Sequence, residues 1–139
     1  MARILVVEDD PQVAIPLVAF LGLMGHLVRQ ASNGEEGLAE VSKEYPEIIL
    51  LDVDMPTLNG PQMAYRLLIE DAGREDIPIM LLSAVDDLGS VAESIGTPYF
   101  LAKPYSFDGL TTMLDRALRE RQPPRPRLSP LHQKIRGAA

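Results

Sequence analysis

Ile48-Ile49-Leu50-Leu51-Asp52-Val53-Asp54-Met55-Pro56, followed by Gly60, is the stretch that decides the fold. Four consecutive branched aliphatic residues bounded by a turn signal make a run too short for a buried helix. It reads as a strand covered on both faces, the kind found in parallel sheets. The run ends on a carboxylate. A charge placed where a buried strand emerges costs folding free energy unless a metal, a cation or chemistry compensates it. Asp52 is therefore the residue to be explained.

Upstream, Arg3-Ile4-Leu5-Val6-Val7 is a second buried strand, and it too ends on acids, Glu8-Asp9-Asp10, before Pro11. Pro at the first helical position with Asp before it predicts a helix start capped by Asp10, which fits a cap better than a metal ligand. Val13/Ala14, Leu17/Val18 and Leu21 give that helix its apolar stripe, and Gly22 to Gly25 end it. Pro16 lies inside and removes one intrahelical bond, so a kink or an irregular first turn is expected. His26 to Ala31 reads as a short strand, and Ser32-Asn33-Gly34 as a turn or cap. Glu35 and Glu36 suit the first turn of a helix that runs to about Tyr45 and is stopped by Pro46.

Downstream of the strand at 47–52, Pro56 to Gly60 is a loop, and Ala64, Leu67 and Leu68 mark the next helix. After a polar loop from Asp71 to Asp76, Ile77 to Leu82 is a fourth strand. It leads to Ser83-Ala84, with Pro78 tolerable only near its start. Residues 86–95 form the weakest element. Asp86-Asp87 could cap a short helix there, but Gly89 weakens it by about 1 kcal/mol relative to Ala. Pro98 to Ala102 is a fifth strand ending at Lys103-Pro104. The helix at about 106–121 carries Leu110, Met113, Leu114, Ala117 and Leu118 on one face. Gln122-Pro123-Pro124-Arg125-Pro126-Arg127 cannot continue it and reads as an extended linker. Strands alternating with helices imply an α/β sandwich on a parallel sheet.

Composition narrows the function. At 139 residues a single domain with a real core is expected, and 46% hydrophobic content fits a soluble globular protein. No apolar run approaches the roughly 20 residues of a membrane span. Met1-Ala2-Arg3 leads straight into a strand, so no signal peptide is expected and a cytoplasmic location is. Zero cysteines exclude a disulfide framework and thiolate chemistry. Residues 1–121 hold all 20 acids and nine bases, a net −11, while 122–139 holds Arg125, Arg127, Lys134, Arg136 and no acid. The body should repel nucleic acid.

The unusual polar residues all fall at strand ends, where open α/β sheets bind their ligands. Glu8, Asp9 and Asp10 follow strand one, Asp52 strand three, Ser83 strand four and Lys103 strand five. Carboxylates on adjacent strand ends need a cation, and hard oxygen ligands suit Mg²⁺ or Mn²⁺. A lysine and a hydroxyl beside them complete a phosphoryl-transfer arrangement, and Asp is itself a phospho-acceptor as an aspartyl phosphate.

In these residues the chain resembles the receiver domain of bacterial two-component response regulators, over about residues 2–121. The resemblance rests on Ile4-Leu5-Val6-Val7-Glu8-Asp9-Asp10, on Asp52-x-x-Met55-Pro56-x-x-x-Gly60, on Ser83-Ala84, and on Gly96-Thr97-Pro98-Tyr99-Phe100-Leu101-Ala102-Lys103-Pro104. It implies a doubly wound, five-stranded parallel sheet in order 2-1-3-4-5, the flavodoxin-like (βα)5 receiver fold. Asp52 would accept phosphate from a sensor histidine kinase or phosphotransfer protein. Glu8 and Asp9, with the Asp52 carboxylate and the Asp54 backbone carbonyl, would hold Mg²⁺ or Mn²⁺. Lys103 would pair with Asp52 or its phosphate. Ser83 would turn inward to the phosphate and Phe100 would follow as aromatic switch, with Ala84 leaving the group accessible. The output face would lie within 86–121 and bind a downstream protein, the chain being a monomer or a phosphorylation-dependent dimer and not an enzyme. Residues 122–139 would be a flexible, basic, Pro-rich tail, and no nucleic-acid or membrane contact is expected.

The sequence departs from the family pattern in places. The 20 positions from Ser83 to Lys103 are fewer than usual, which shortens the helix between them. Phe100 has no hydroxyl, and alternation points its neighbour Tyr99 to the other sheet face. Pro16 sits in the helix where kinase docking is expected. Plain core packing rivals the switch role for Phe100, and His26 and His132 show no partner in sequence. Two other readings compete. Asp52-Val53-Asp54-Met55-Pro56-Thr57 approaches the DxDx(T/V) motif of haloacid-dehalogenase-type phosphatases, but that motif ends a first strand and Thr57 comes one place late. A degenerate receiver that switches without phosphate is disfavoured, because each chemical position is filled.

Overall fold

The computed structural model of the chain describes residues 1–52, 77–84 and 88–125, Ser94 by its backbone alone. Five strands form one sheet in the order β2-β1-β3-β4-β5. They are β1 (Arg3–Val7), β2 (Leu27–Ala31), β3 (Ile48–Asp52), β4 (Ile79–Ser83) and β5 (Phe100–Ala102), each parallel to its neighbours. Four helices stand among the described residues: α1 (Pro11–Leu23), α2 (Gly34–Lys43), α3 (Leu88–Ile95) and α4 (Phe107–Glu120). The expected helix at Ala64–Leu68 and loop at 71–76 lie outside the described residues, as do Asp54, Asp86, Asp87 and the chain beyond Arg125.

Alternation along the strands divides the core in two. Leu5, Val7, Ile49, Leu51, Ile79 and Leu81 pack against α2 and α3. Ile4, Val6, Ile48, Leu50, Met80 and Leu82 pack against α1 and α4. Both faces of β3 and β4 are fully covered, as the unbroken aliphatic runs require.

Local chemistry sets the ends. Asp10 caps α1 by accepting the Gln12 amide at 2.9 Å, and Asn33 caps α2 by accepting the Glu36 amide at 2.9 Å. Ser106 does the same for α4 through Gly109. Each removes an orphan amide from a helix start. After α1, Gly25 takes φ +92°, a conformation open to glycine, and turns the chain into β2.

Several expectations need correction. The irregular turn at Pro16 does not interrupt α1, which runs continuously from Pro11 to Leu23. Strand four is shifted: Pro78 precedes β4 and Ser83 is its last residue, so the hydroxyl belongs to the sheet and not to a loop. The fifth strand begins at Phe100, because Thr97 turns its hydroxyl to the Ile79 carbonyl at 2.6 Å and takes up the approach to the strand. His26 is not without a partner: its Nδ1 accepts the Ala2 amide at 3.0 Å and pins the start of β1.

Candidate functional site

Register brings the acids together. Val7 pairs with Leu51, so Glu8 leaves β1 beside Asp52, the last residue of β3. The Glu8 amide donates to the Ala31 carbonyl at 3.0 Å, which fixes the first acid even though β1 has ended. Carboxylate oxygens of Glu8, Asp9 and Asp52 lie within 4.8 Å of one another. Glu8 is 3% exposed and Asp52 7%, while Asp9 stands in solvent.

Lys103 supplies the counter-charge, held in place where its amide donates to the Ser83 carbonyl at 2.9 Å. Its Nζ lies 2.6 Å from Glu8 Oε1 and 3.9 Å from Asp52 Oδ2. The nearer partner is thus Glu8, although Asp52 was the expected one. Glu8 sits deeper and reaches further, and it carries the greater need for compensation. Burial still holds the Glu8 carboxyl above its ordinary range, with the Asp52 charge adding to the effect and Lys103 opposing it. Asp9 is shifted the same way by partial burial and by Glu8.

Among the described residues, the cluster sets three carboxylates beside the Lys103 ammonium. The donor set is all oxygen, one member is open to solvent, and burial holds the Glu8 and Asp9 carboxyls above their ordinary range. These are the properties of a site that fits a hard divalent cation with room for water.

Ser83 is buried at the end of β4 on the strand next to Asp52. Phe100 is 39% exposed, so it is not a core residue, and its neighbour Tyr99 is fully buried on the α1–α4 face as alternation required. Asp54 is outside the described residues. One neighbour escaped the sequence reading. Tyr105, two residues past Lys103, is half-buried, and its phenol is held above its ordinary range by burial and by the Glu8 charge. It lines a cavity of about 390 Å³ with Val13, Leu17, Ala84, Lys103 and Phe107, joined to the acids through Lys103. The available signal was an aromatic next to a Lys-Pro strand end. Asp52 closes the third strand and not the first, which removes the geometric basis of the phosphatase alternative.

A family model described as the response regulator receiver domain matches residues 4–115. The chain belongs to the response regulator receiver domain family. Protein PilH of Pseudomonas aeruginosa is 43% identical over 86 residues, 62% of this chain and 70% of PilH. Response regulator MprA of Mycobacterium leprae is 32% identical over 123 residues, 87% of this chain and 53% of MprA. The receiver domain described here therefore spans about half the length of that relative. Among solved structures, response regulator TrrA of Thermotoga maritima, in complex with Mg²⁺ and beryllofluoride, matches with a TM-score of 0.73 and 29% identity. The match covers 84% of this chain and 98% of TrrA. The receiver domain is thus a signalling domain of two-component systems. Among the described residues no helix is long and apolar enough to cross a membrane.

Proposed function

We propose that Asp52 is the phospho-acceptor of this receiver domain and that the acids around it hold Mg²⁺ or Mn²⁺. The observation that carries the reading is the convergence of Glu8, Asp9 and Asp52 within 4.8 Å, with the Lys103 ammonium 3.9 Å from Asp52 Oδ2. The cation would be held by the Glu8, Asp9 and Asp52 carboxylates and the Asp54 backbone carbonyl. When bound it supplies charge neutralisation for the phosphoryl oxygens.

The chain's own residues do the rest. An Asp52 carboxylate oxygen forms the new bond to phosphorus as the bond to a phosphohistidine nitrogen breaks. The electron pair of that bond stays on the imidazole, which takes a proton from solvent. Lys103 exchanges its Glu8 contact for the arriving phosphoryl group, and Ser83 donates its hydroxyl to a phosphoryl oxygen. Phe100, partly exposed on β5, turns inward and changes the face that 86–121 presents. The phosphohistidine belongs to a sensor kinase or phosphotransfer protein, and the altered face meets a downstream protein target in the cytoplasm. The chain acts on no substrate besides its own carboxylate. Residues 1–121 form the receiver unit, as monomer or phosphorylation-dependent dimer, and 122–139 its basic tail.

Incubation with acetyl phosphate and Mg²⁺ is expected to label the wild-type chain and leave Asp52→Asn unlabelled. Equal labelling of the two would place the acceptor elsewhere.

A further inference from the structure

The first residues after the last helix are seated on the domain. α4 ends on Arg121, whose backbone adopts the left-handed conformation at φ +52° and turns the chain aside. The Gln122 amide then donates to the Tyr99 hydroxyl at 3.1 Å, and that hydroxyl donates to Glu120 Oε1 at 3.2 Å. Further on, Pro124 is buried and the Arg125 amide donates to the Gly96 carbonyl at 3.2 Å. Gly96 holds φ +78°, and a methyl group built there would overlap the Arg125 backbone. Glycine supplies both the left-handed backbone and the space for close approach. Pro123 and Pro124 have fixed φ, so ordering this segment costs little chain entropy.

The seat is built on the span that also carries the site's cation. The Tyr99 amide donates to Thr97 Oγ1 at 3.2 Å, and the Tyr99 carbonyl accepts the Leu81 amide at 3.0 Å. Three residues of β5 separate Tyr99 from Lys103, whose amide is bound to Ser83 of the same partner strand. Among the described residues β5 is an edge strand, paired with β4. It can shift with less loss of ladder bonding than any central strand.

We infer that Gln122–Arg125 is a strap that reports the state of the acidic site to the chain beyond it, loosening from Tyr99 and Gly96 when Lys103 moves from Glu8 to a phosphoryl group on Asp52. The inference rests on the reading of Asp52 as phospho-acceptor. A ligand shifts an equilibrium only through contacts that differ between the two states, and the contact that differs here is that of Lys103. The movement enters at one end of β5 and leaves at the other, where the Gln122 amide on the Tyr99 hydroxyl and the Arg125 amide on the Gly96 carbonyl hold the strap.

Residue-resolved amide exchange on the full chain tests this. In the resting protein the Gln122 and Arg125 amides are expected to exchange more slowly than freely exposed amides by about ten-fold or more. Addition of Mg²⁺ with beryllofluoride accelerates both by a similar factor, and leaves them unchanged in Asp52→Asn. Tyr99→Phe, which keeps the ring, exposes the Gln122 amide without ligand while β1 and β3 amides stay protected. Gln122→Pro, which removes the donor and leaves the core alone, does the same to Arg125. Fast exchange of Gln122 and Arg125 at rest overturns the strap. Unchanged protection while the Lys103 and Ser83 amides respond to beryllofluoride overturns the coupling and leaves the acceptor reading standing. No response at Lys103 and Ser83 overturns the acceptor reading and the coupling with it.

Discussion

Glu8 is under electrostatic strain in this site, although Asp52 is the residue the sequence singles out. Its carboxyl is buried beside a second acid and is held above its ordinary value even with Lys103 at 2.6 Å. A carboxyl whose folded pKa is raised supports the fold below its unfolded pKa, and that support is lost as pH rises through the folded value. Without divalent cation, stability should therefore rise as pH falls from neutrality toward about 4.5, the ordinary value for Glu. Urea midpoints in chelator at pH 7 and pH 5 check this, and Glu8→Gln should lose most of the rise. Asp52→Asn removes one of two buried like charges and should stabilise the cation-free domain by about 1 kcal/mol at neutral pH. Protons and metal compete for the same oxygens. The affinity for Mg²⁺ measured by calorimetry should accordingly weaken at a pH above the usual carboxylate range. The candidate acids were legible in sequence because each ends an aliphatic run. The preference of Lys103 for Glu8 was not, because it depends on relative depth and reach, which spacing does not encode. Tyr105 was missed because an aromatic after a Lys-Pro strand end is a weak signal, which does not say that the phenol lies near an acid.

At the level of the elements, composition predicted β1, β3 and β4 well, because strands covered on both faces have little alternative to continuous aliphatic runs. The ends were less legible. β4 includes Ser83 and β5 loses Pro98 and Tyr99, since side chains such as Thr97 compete for the ladder's carbonyls. Pro16 was expected to disturb α1, yet the helix is continuous, its start fixed by Asp10 and its buried face by Ala14, Leu17 and Leu21. The lost hydrogen bond remains a cost. Pro16→Ala is expected to raise stability by about 1–3 kcal/mol, read as a shift of the urea midpoint with unchanged slope. No gain would mean that the ring's contacts along the cavity beside Leu17 offset the missing bond. In the segment after α4 the prolines exclude helix, and residues 122–125 are non-helical as their sequence predicts; their seat on Gly96 was not legible, because it depends on a close approach that spacing does not encode.

On the scale of the whole molecule, the site exists only when β1, β3, β4 and β5 lie in register, because its residues come from positions as far apart as 8 and 103. Cation binding is therefore linked to folding. Mg²⁺ at about a hundred times its dissociation constant should add about 2.7 kcal/mol to the unfolding free energy, chelator should remove it, and Glu8→Gln should largely abolish it. The two-sided core was legible in the continuous aliphatic runs, and the strand order in the resemblance to the receiver family; partner choice was not, since it lies on exposed surface that folding does not constrain. We propose that this assembled site directs a phosphoryl group to Asp52. Borohydride reduces an aspartyl phosphate to homoserine, so reduction after treatment with acetyl phosphate and Mg²⁺, followed by peptide mass mapping, reads the acceptor directly. Homoserine at position 52 is the predicted result. Intact Asp52 with homoserine at another acid, or phosphate retained on Ser83, would contradict it.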